Sequence, residues 1–275
     1  MELEIEFLKQ LALNIYDEVH PILGTRKASQ KFSRGAGGDI SMQIDLVAEK
    51  VLIQSLEKVS VNILLISEEI GEKYIGNKEL ALKNKNVLIV DPVDGSNNAA
   101  RGIPYCSVSI AYAIGNTADS IKKAVVLDLV TKDIYWAVKG KGAYLNEDEI
   151  RVSDLDINDQ CYCEINLSKK NLFKNIDNIR SVLQKFHRIR ILGSSALTLC
   201  QIAKGSMEAF INLRESNRLV DVAAGFLILQ EAGGKMMFIN GDEISGELSI
   251  NLRFPFFASN LKLVSFLINS LNKEI

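Results

Sequence analysis

The segment NVLIVDPVDGSNN, residues 86–98, constrains the fold more than any other stretch of the chain. Its apolar run from Val87 to Val90 predicts a buried strand, and Gly95 predicts a tight turn directly after it. Two carboxylates, Asp91 and Asp94, stand at the end of that strand, where unbalanced negative charge is costly. We therefore expect a cation at the point where the chain leaves this strand.

The proline inside the segment favours the same interpretation. Pro92 fixes its own backbone and pushes Asp91 into an extended conformation, so that both carboxylates and the carbonyl of Val93 can face one point. The amides of residues 95–97 then open a helix whose positive end favours a phosphate group. The alternative for Asp94 is a role as helix N-cap alone.

Two further acidic positions follow or begin regular elements. Glu68 and Glu69 come directly after a second buried strand, and Asp221 lies in the first turn of a helix predicted near residues 218–232, with Asn217 as its N-cap. Acids at the carboxyl ends of strands converge easily in open α/β sheets, and such oxygen ligands suit magnesium. The alternatives are a solvated surface pair for the glutamates and a helix-dipole contact for Asp221.

The order of predicted elements indicates an α/β fold built of layers. Residues 1–150 begin with amphipathic helices and continue into segments that alternate as in an antiparallel or mixed sheet. Residues 151–275 alternate strand and helix, and we expect the two parts to form one compact catalytic unit. The polar segment 27–43 predicts a mobile surface loop, and whether residues 32–41 form a lid stays open.

Composition excludes several classes of protein. The formal net charge of -2, from 32 basic and 34 acidic residues, provides no overall field for nucleic acid or an anionic membrane. The sequence shows no signal-peptide pattern and no apolar run of roughly 18 residues. Its four cysteines lack zinc-ligand spacing and are expected to be reduced core thiols, which predicts a cytoplasmic protein. His20 and His187 lie outside the acidic motifs, so carboxylates are expected to carry catalysis.

Three ordered motifs carry a resemblance to a known family: SEE at residues 67–69, DPVDGS at 91–96 and VDVAAG at 220–225. Together they resemble the inositol monophosphatase family of lithium-sensitive, magnesium-dependent sugar phosphatases. The segments IDLVAEK, GKGAYLN and LGSSAL extend the resemblance over nearly the whole chain. NNAARGIPYCSVS is most similar to the archaeal branch that acts on both inositol monophosphate and fructose 1,6-bisphosphate. Ser96 replaces the usual threonine and Val220 an often-present tryptophan, and neither change removes a ligand.

The resemblance implies alternating α-β-α-β-α layers, a homodimer, and two or three Mg²⁺ ions in each active site. The implied metal ligands are oxygen atoms of five residues: Glu68, Asp91, Val93 through its carbonyl, Asp94 and Asp221. The resemblance also implies that three side chains orient the attacking water, those of Asp45, Ser96 and Glu68.

The substrate itself is expected to contact two regions. Its phosphate is expected at the turn formed by Asp94, Gly95 and Ser96, where helix amides stabilise phosphate oxygens. The rest of the substrate is expected to meet residues on later segments, namely Arg190, Gly193, Ser194, Ser195, Asn212 and Arg214. Arginine suits a second phosphate because its fork binds in two places, whereas the alternative for both arginines is a surface salt bridge.

These interpretations predict a magnesium-dependent phosphomonoesterase that hydrolyses inositol 1-phosphate, fructose 1,6-bisphosphate or both by attack of a metal-activated water. The nearest alternative is a phosphatase for adenosine 3',5'-bisphosphate. A non-catalytic phosphosugar-binding module is a third possibility, and the presence of all expected carboxylates argues against it. The physiological substrate stays open at this point.

Overall fold

The computed structural model describes residues 2–36, 40–158, 160–249, 251 and 253–271. Within these ranges the α-helices are α1 (Ile5–Val19), α2 (Gln43–Glu57), α3 (Lys78–Asn84), α4 (Ser96–Arg101), α5 (Leu172–Leu183), α6 (Ser195–Ala203), α7 (Ala223–Glu231) and α8 (Leu261–Leu271). The first ten strands are β1 (Lys31–Arg34), β2 (Ile40–Met42), β3 (Ile63–Ser67), β4 (Gly71–Ile75), β5 (Asn86–Asp94), β6 (Ser107–Ile114), β7 (Ile121–Asp128), β8 (Ile134–Val138), β9 (Ala143–Leu145) and β10 (Asp148–Ile150). The others are β11 (Tyr162–Asn166), β12 (Arg188–Arg190), β13 (Ala209–Asn212), β14 (Lys235–Phe238) and β15 (Phe256–Ser259).

The described strands form two large sheets and one hairpin. The 8-stranded sheet has the order β10-β9-β8-β7-β6-β5-β3-β4 and is antiparallel except where β3 runs parallel to β5. The 5-stranded sheet has the order β12-β11-β13-β15-β14, with its first three strands parallel to one another. β1 and β2 pair separately as an antiparallel hairpin.

Helices pack against both sheets in alternating layers. α1 and α2 cover one face of the 8-stranded sheet, α6 and α7 lie between the two sheets, and α5 and α8 pack together at the 5-stranded sheet. Three separate hydrophobic clusters fill the spaces between these layers. The predicted α-β-α-β-α architecture is confirmed, because each sheet buries its apolar faces against helices.

The division of the chain at residue 150 corresponds to a change of sheet. β3 to β10 all belong to the 8-stranded sheet, and β11 to β15 belong to the other. The cluster between the sheets draws residues from both parts, including Ala124 and Phe210. This shared core supports the proposal of one compact catalytic unit.

The amphipathic helices predicted at the beginning of the chain are α1 and α2. Leu8, Leu11, Ala12 and Ile15 form the buried stripe of α1, as predicted. By contrast, α7 is buried on nearly all sides because it lies between two sheets. A Cβ added at Gly225 would come within 2.8 Å of the Leu199 side chain, so this glycine lets α7 approach α6 closely.

Several local predictions were wrong or incomplete. Asn217 does not cap a helix: the 3₁₀ turn Leu219–Asp221 comes between it and α7, and its side chain instead accepts a hydrogen bond from Asn212. The predicted polar loop 27–43 contains β1 and β2, while its residues 37–39 lie outside the described range. The strand β15 was not predicted, because four residues between turns carry little periodicity.

No helix in the described part of the chain is both long enough and apolar enough to cross a lipid bilayer. All four cysteines are buried as free thiols.

Candidate metal and phosphate site

A cavity of about 490 Å³ opens where the carboxyl ends of β3 and β5 meet the beginnings of α2, α4 and α6. Most residues selected from the sequence line it, although they come from distant parts of the chain. These lining residues are Asp45, Glu68, Asp91, Val93, Asp94, Gly95, Ser96, Gly193, Ser195, Arg214 and Asp221. The layered fold therefore brings the separate acidic motifs to one place.

Three carboxylates form the tightest acidic group in this cavity. One oxygen atom from each of Glu68, Asp91 and Asp221 lies within 4.8 Å of the others. Glu68 is the first residue beyond β3, and Asp221 ends the turn Leu219–Asp221. Three hard oxygen ligands at this spacing can hold one divalent cation of the magnesium type.

A bulge in β5 explains how Asp91 and Asp94 reach the same cavity. Asp91 pairs with Ser109 of β6 and Asp94 pairs with Ser107, so three residues of β5 advance against two of β6. A bulge bends the strand and redirects its side chains. Pro92 is tolerated here because the irregular ladder does not need its missing N–H group.

Asp94 connects the cavity to α6. Its Oδ2 atom accepts a hydrogen bond from Ser194 Oγ at 2.6 Å and another from the Ala196 amide at 2.7 Å. Ser194 is itself the N-cap of α6 and is buried. The Ser194 hydroxyl thus holds Asp94 in position, and its predicted contact with substrate stays a prediction.

The pair predicted to orient water lies on the α2 side of the cavity. Asp45 Oδ2 accepts a hydrogen bond from the Met42 amide at 2.7 Å, and its carboxylate also interacts with the Ser96 hydroxyl. Ser96 Oγ donates to the Val93 carbonyl at 2.9 Å. A carbonyl oxygen has two lone pairs, so this bond leaves Val93 able to meet a cation as well.

The turn after β5 depends on glycine. Gly95 has φ +89, and a Cβ added there would come within 3.1 Å of the carbonyl oxygens of Gly193 and Tyr105. The first amides of a helix lack intrahelical acceptors, and residues 95–97 line the cavity at the start of α4. The turn therefore presents backbone donors beside the carboxylates.

Burial raises the pKa values of the acids in the cavity. It is the main cause that raises the pKa of Glu68 to about 8, of Asp94 to about 7 and of Asp45 to about 6. The nearby carboxylate of Asp221 adds to the rise in pKa for Glu68 and Asp94. The Arg218 guanidinium lowers the pKa of Glu68 but does not cancel the rise, and negative charge that the pocket's own side chains balance only in part is expected of a cation site.

A comparison of the sequence with known protein families agrees with the residues found in this cavity. A model of the inositol monophosphatase family matches residues 2–265. The chain belongs to the inositol monophosphatase family. Its members are metal-dependent phosphatases, a chemistry that the oxygen ligands of this cavity fit.

Curated relatives of this family member include proteins of two kinds. It is 36% identical over 273 residues to the fructose-1,6-bisphosphatase/inositol-1-monophosphatase of Methanothermobacter thermautotrophicus, with 95% of each chain covered. It is also 36% identical over 272 residues to a bifunctional NADP phosphatase/NAD kinase of Methanococcus maripaludis, covering 93% of this chain and 47% of that protein. The chain thus spans about half the length of the bifunctional relatives.

Solved structures of the family share the fold. The crystal structure of an inositol monophosphatase-fructose 1,6 bisphosphatase has a TM-score of 0.83 and 29% identity, covering 97% of this chain and 98% of the other. The extragenic suppressor protein suhB from Bartonella henselae has the same TM-score at 26% identity, with 98% of both chains covered. Family, fold class and the enzyme class of phosphoric monoester hydrolases, all predicted from the motifs, are confirmed.

In this family member, three predicted substrate residues are not part of the cavity lining: Ser194, which bonds to Asp94, and Arg190 and Asn212. The Arg190 guanidinium lies 5.0 Å from the centre of the Tyr162 ring. Asn212 is buried, and its side chain bonds to Asn217 and to the Arg214 amide. Arg214 itself lines the cavity. Contacts of Arg190 and Asn212 with a substrate remain predictions, and the structure gives both residues other partners.

A buried glutamate that was not predicted supports the substrate side. Glu164 accepts hydrogen bonds from the amides of Leu192 at 3.1 Å and Gly193 at 3.3 Å, and from Thr198 Oγ1 at 2.5 Å. Asn98 donates to the Leu192 carbonyl at 2.7 Å. These bonds fix the segment before α6. In sequence, Glu164 lies alone in an apolar strand, a pattern that marks a buried polar role.

The hairpin of β1 and β2 contacts the acidic end of β3. The Ser41 hydroxyl donates to the Glu69 carboxylate, and the Ala36 amide donates to the Glu69 carbonyl at 2.9 Å. Lys31, at the start of β1, lines the cavity. Glu69 was predicted as a neighbour of the site, and the structure shows that it anchors this hairpin.

Arg218 is the cavity residue that the sequence analysis missed most clearly. Its Nη2 atom lies 2.6 Å from Glu68 Oε1 and 3.1 Å from Asp221 Oδ1. The only sequence signal was an arginine three residues before a predicted metal ligand. A helix turn brings such residues together, but the pairing with Glu68 depends on the tertiary structure.

Proposed function

We propose that this chain hydrolyses phosphate monoesters of sugars or cyclitols, of the inositol 1-phosphate and fructose 1,6-bisphosphate type, with Mg²⁺ as its cofactor. The observation that carries this proposal is the convergence of Glu68, Asp91 and Asp221 beside the glycine turn at Gly95. Carboxylates favour a divalent cation there, and backbone amides beside them favour a phosphate group.

Two or three Mg²⁺ ions are proposed at oxygen atoms of Glu68, Asp91, Val93, Asp94 and Asp221. Bound ions of this kind supply positive charge to phosphate oxygens, to the leaving group and to the attacking water. This role for Asp94 is supported by its place in the cavity lining and by its bonds to Ser194 and Ala196, which both use Oδ2. The donor set consists of carboxylates and one carbonyl, which suits magnesium.

The chain's own groups then position the reactants. We assign Asp45, Ser96 and Glu68 to orienting the attacking water. The side chains of Asp45 and Ser96 interact with each other, and all three residues line the cavity. The pKa of Asp45, raised to about 6 mainly by burial, suits a group that accepts a proton near neutral pH. The amides of Gly95 and Ser96 are assigned to the phosphate oxygens, and the water is proposed to attack in line without a phosphoenzyme.

The substrate's sugar end is assigned to the α6 side of the cavity. Gly193 and Ser195 line it together with Arg214 and Lys31. Two cationic side chains in the lining of the same cavity suit a substrate that carries a second anionic group. This arrangement favours fructose 1,6-bisphosphate over inositol 1-phosphate, whereas the Methanothermobacter relative is named for both substrates. Arg190, Ser194 and Asn212 remain assigned to substrate only as predictions from the sequence.

A second candidate substrate comes from the relatives themselves. The Methanococcus protein named as a bifunctional NADP phosphatase/NAD kinase is 36% identical over 93% of this chain. NADP carries a phosphate monoester at the 2' position of a ribose that also bears other phosphates. Adenosine 3',5'-bisphosphate likewise carries two phosphate monoesters on one ribose. The cationic side chains that suit a bisphosphate sugar suit these nucleotides as well.

Phosphate release from a panel of substrates tests this proposal. We expect release from fructose 1,6-bisphosphate, with inositol 1-phosphate, NADP and adenosine 3',5'-bisphosphate as comparisons, and loss of all release when a chelator removes divalent ions. Restoring excess Mg²⁺ should restore the rate. Full activity in chelator would contradict the metal assignment, and thermal stabilisation by these compounds without release would favour a non-catalytic binding module.

We also propose a cytoplasmic homodimer without nucleic-acid or membrane partners. β12 is an edge strand of the 5-stranded sheet. Ile189 within it is 38% exposed, and Ile191 directly after it is 72% exposed. Apolar side chains beside an open strand edge favour burial against a second copy. Sedimentation equilibrium should report a dimer that Ile191→Lys weakens. A wild-type monomer at micromolar concentration would contradict it.

A further inference from the structure

A buried cation lies on the acids proposed to hold metal. The Arg218 side chain is 8% exposed, and its Nη2 atom contacts Glu68 Oε1 at 2.6 Å and Asp221 Oδ1 at 3.1 Å. Its Nε atom donates to the same Asp221 oxygen at 3.1 Å. Arginine stays protonated at every ordinary pH, so this positive charge is permanent.

The backbone around Arg218 holds the guanidinium in this place. The Arg218 amide donates to Asp221 Oδ2 at 3.1 Å, which closes the turn before α7. On its other side, Arg218 forms an isolated antiparallel bridge with Arg253, and the Phe254 amide donates to the Asn217 carbonyl at 3.1 Å. The side chain therefore starts from a backbone fixed on two sides.

The guanidinium and a divalent cation would share the same carboxylates. Two members of the acidic trio, Glu68 and Asp221, bond to Arg218, while Asp91 completes the trio. A metal ion among these three oxygens would lie a few ångströms from the guanidinium, and like charges at that distance repel strongly in a partly buried site. Without metal, the same guanidinium offsets the repulsion among the acids.

We propose that Arg218 is an internal counter-ion of the metal site: its single positive charge offsets part of the negative charge of Glu68 and Asp221 when metal is absent and thereby weakens the binding of divalent cations. The inference rests on the proposed metal dependence of this cavity. It makes Arg218 a positioning residue, whose charge sets metal affinity, and it predicts two effects of opposite direction when that charge is removed.

Calorimetric titration with Mg²⁺ and thermal melting in chelator test this role. For Arg218→Met, which keeps length without charge, we expect Mg²⁺ to bind about 10- to 100-fold more tightly. The melting temperature in chelator should fall by about 5–10 °C, because buried carboxylates lose their counter-ion. Saturating Mg²⁺ should remove most of that fall.

Two other variants separate charge from packing. Arg218→Lys keeps the charge, so its Mg²⁺ affinity should stay within a few-fold of wild type. If Arg218→Met fails to fold in chelator, Arg218→Gln replaces it as the neutral variant and is compared with Arg218→Lys. Arg180→Met is the matched surface control, since Arg180 pairs with Asp177 on exposed α5 and should change neither quantity.

The results distinguish this role from a structural one. If Arg218 were purely structural, its neutral variants would lose the same stability with and without Mg²⁺, and their Mg²⁺ affinity would be unchanged or weaker. That result would overturn this inference and leave the proposed function standing. If wild-type protein binds no divalent cation, the proposed function fails together with the inference. Tighter binding combined with lower metal-free stability supports it.

Discussion

Asp91→Asn lowers the rate of phosphate release by roughly 10³-fold, because one transition-state charge contact of this kind commonly carries two to three orders of magnitude. The variant keeps the fold: its side-chain oxygen can still accept the hydrogen bond that Asp91 Oδ1 accepts from the Val93 amide at 3.1 Å. Loss of a negative charge among buried acids should leave the metal-free protein at least as stable as wild type. Initial rates with saturating Mg²⁺, together with melting curves in chelator, measure both effects.

The matched control for this variant is Asp177→Asn. Asp177 is an exposed residue of α5 that pairs with Arg180 at 2.6 Å and is not part of the cavity lining. Its rate should equal that of wild type. Near-normal turnover of the Asp91 variant at low Mg²⁺ concentration would show that Asp91 is not a metal ligand.

The stability of the metal-free protein should fall as the pH rises from about 4 to about 8. Burial raises the pKa of Glu68 to about 8, of Glu49 and Asp94 to about 7, and of Asp45 to about 6. These folded-state pKa values lie above those of the same groups in the unfolded chain. The protonated acids therefore contribute their full stability below about pH 4, and this contribution is lost as the pH rises through the folded-state pKa values. Each unit of pKa shift is worth about 1.4 kcal/mol, so the free energy of unfolding should fall by several kcal/mol.

Chemical unfolding in chelator at a series of pH values measures this fall, and a parallel series with Mg²⁺ should show most of it removed. Glu49→Gln is an informative comparison because Glu49, whose Oε2 accepts from Ser67 Oγ at 2.8 Å, is not a proposed ligand. It should reduce the pH dependence in chelator and leave the Mg²⁺ effect in place. A metal-free stability that rises over the same pH range would contradict the prediction.

Patterns of short range predicted much of the fold. The stripe of α1, the buried strands β3 and β5 and the glycine turn at Gly95 depend on neighbours along the chain, so their sequence already contains the information. β4, α3 and β15 were missed because segments of four to seven residues have too few positions for a period to show. β4 and β15 are specified by pairing with neighbouring strands, and α3 by packing against β3.

The site divides in the same way. Asp91, Asp94 and Glu68 could be predicted because each follows an apolar strand at its carboxyl end, where ligands meet. The partners of Arg218 and Glu164 could not be predicted, since they lie more than twenty residues away in sequence: Glu68 for Arg218, and the segment before α6 for Glu164. A lone glutamate in an apolar strand indicates burial but does not name its partners.

The sequence by itself determined the layered architecture, the family and which acids to examine, because strand, turn and capping preferences are local and the motifs recur in order. Only the tertiary structure decided which oxygen atoms share one pocket, that Ser194 holds Asp94, and that Arg218 sits on Glu68 and Asp221. The physical reason is that the electrostatic energy of a buried pocket is a sum over all the charges in it. These charges belong to side chains that are far apart in sequence, and only packing brings them together.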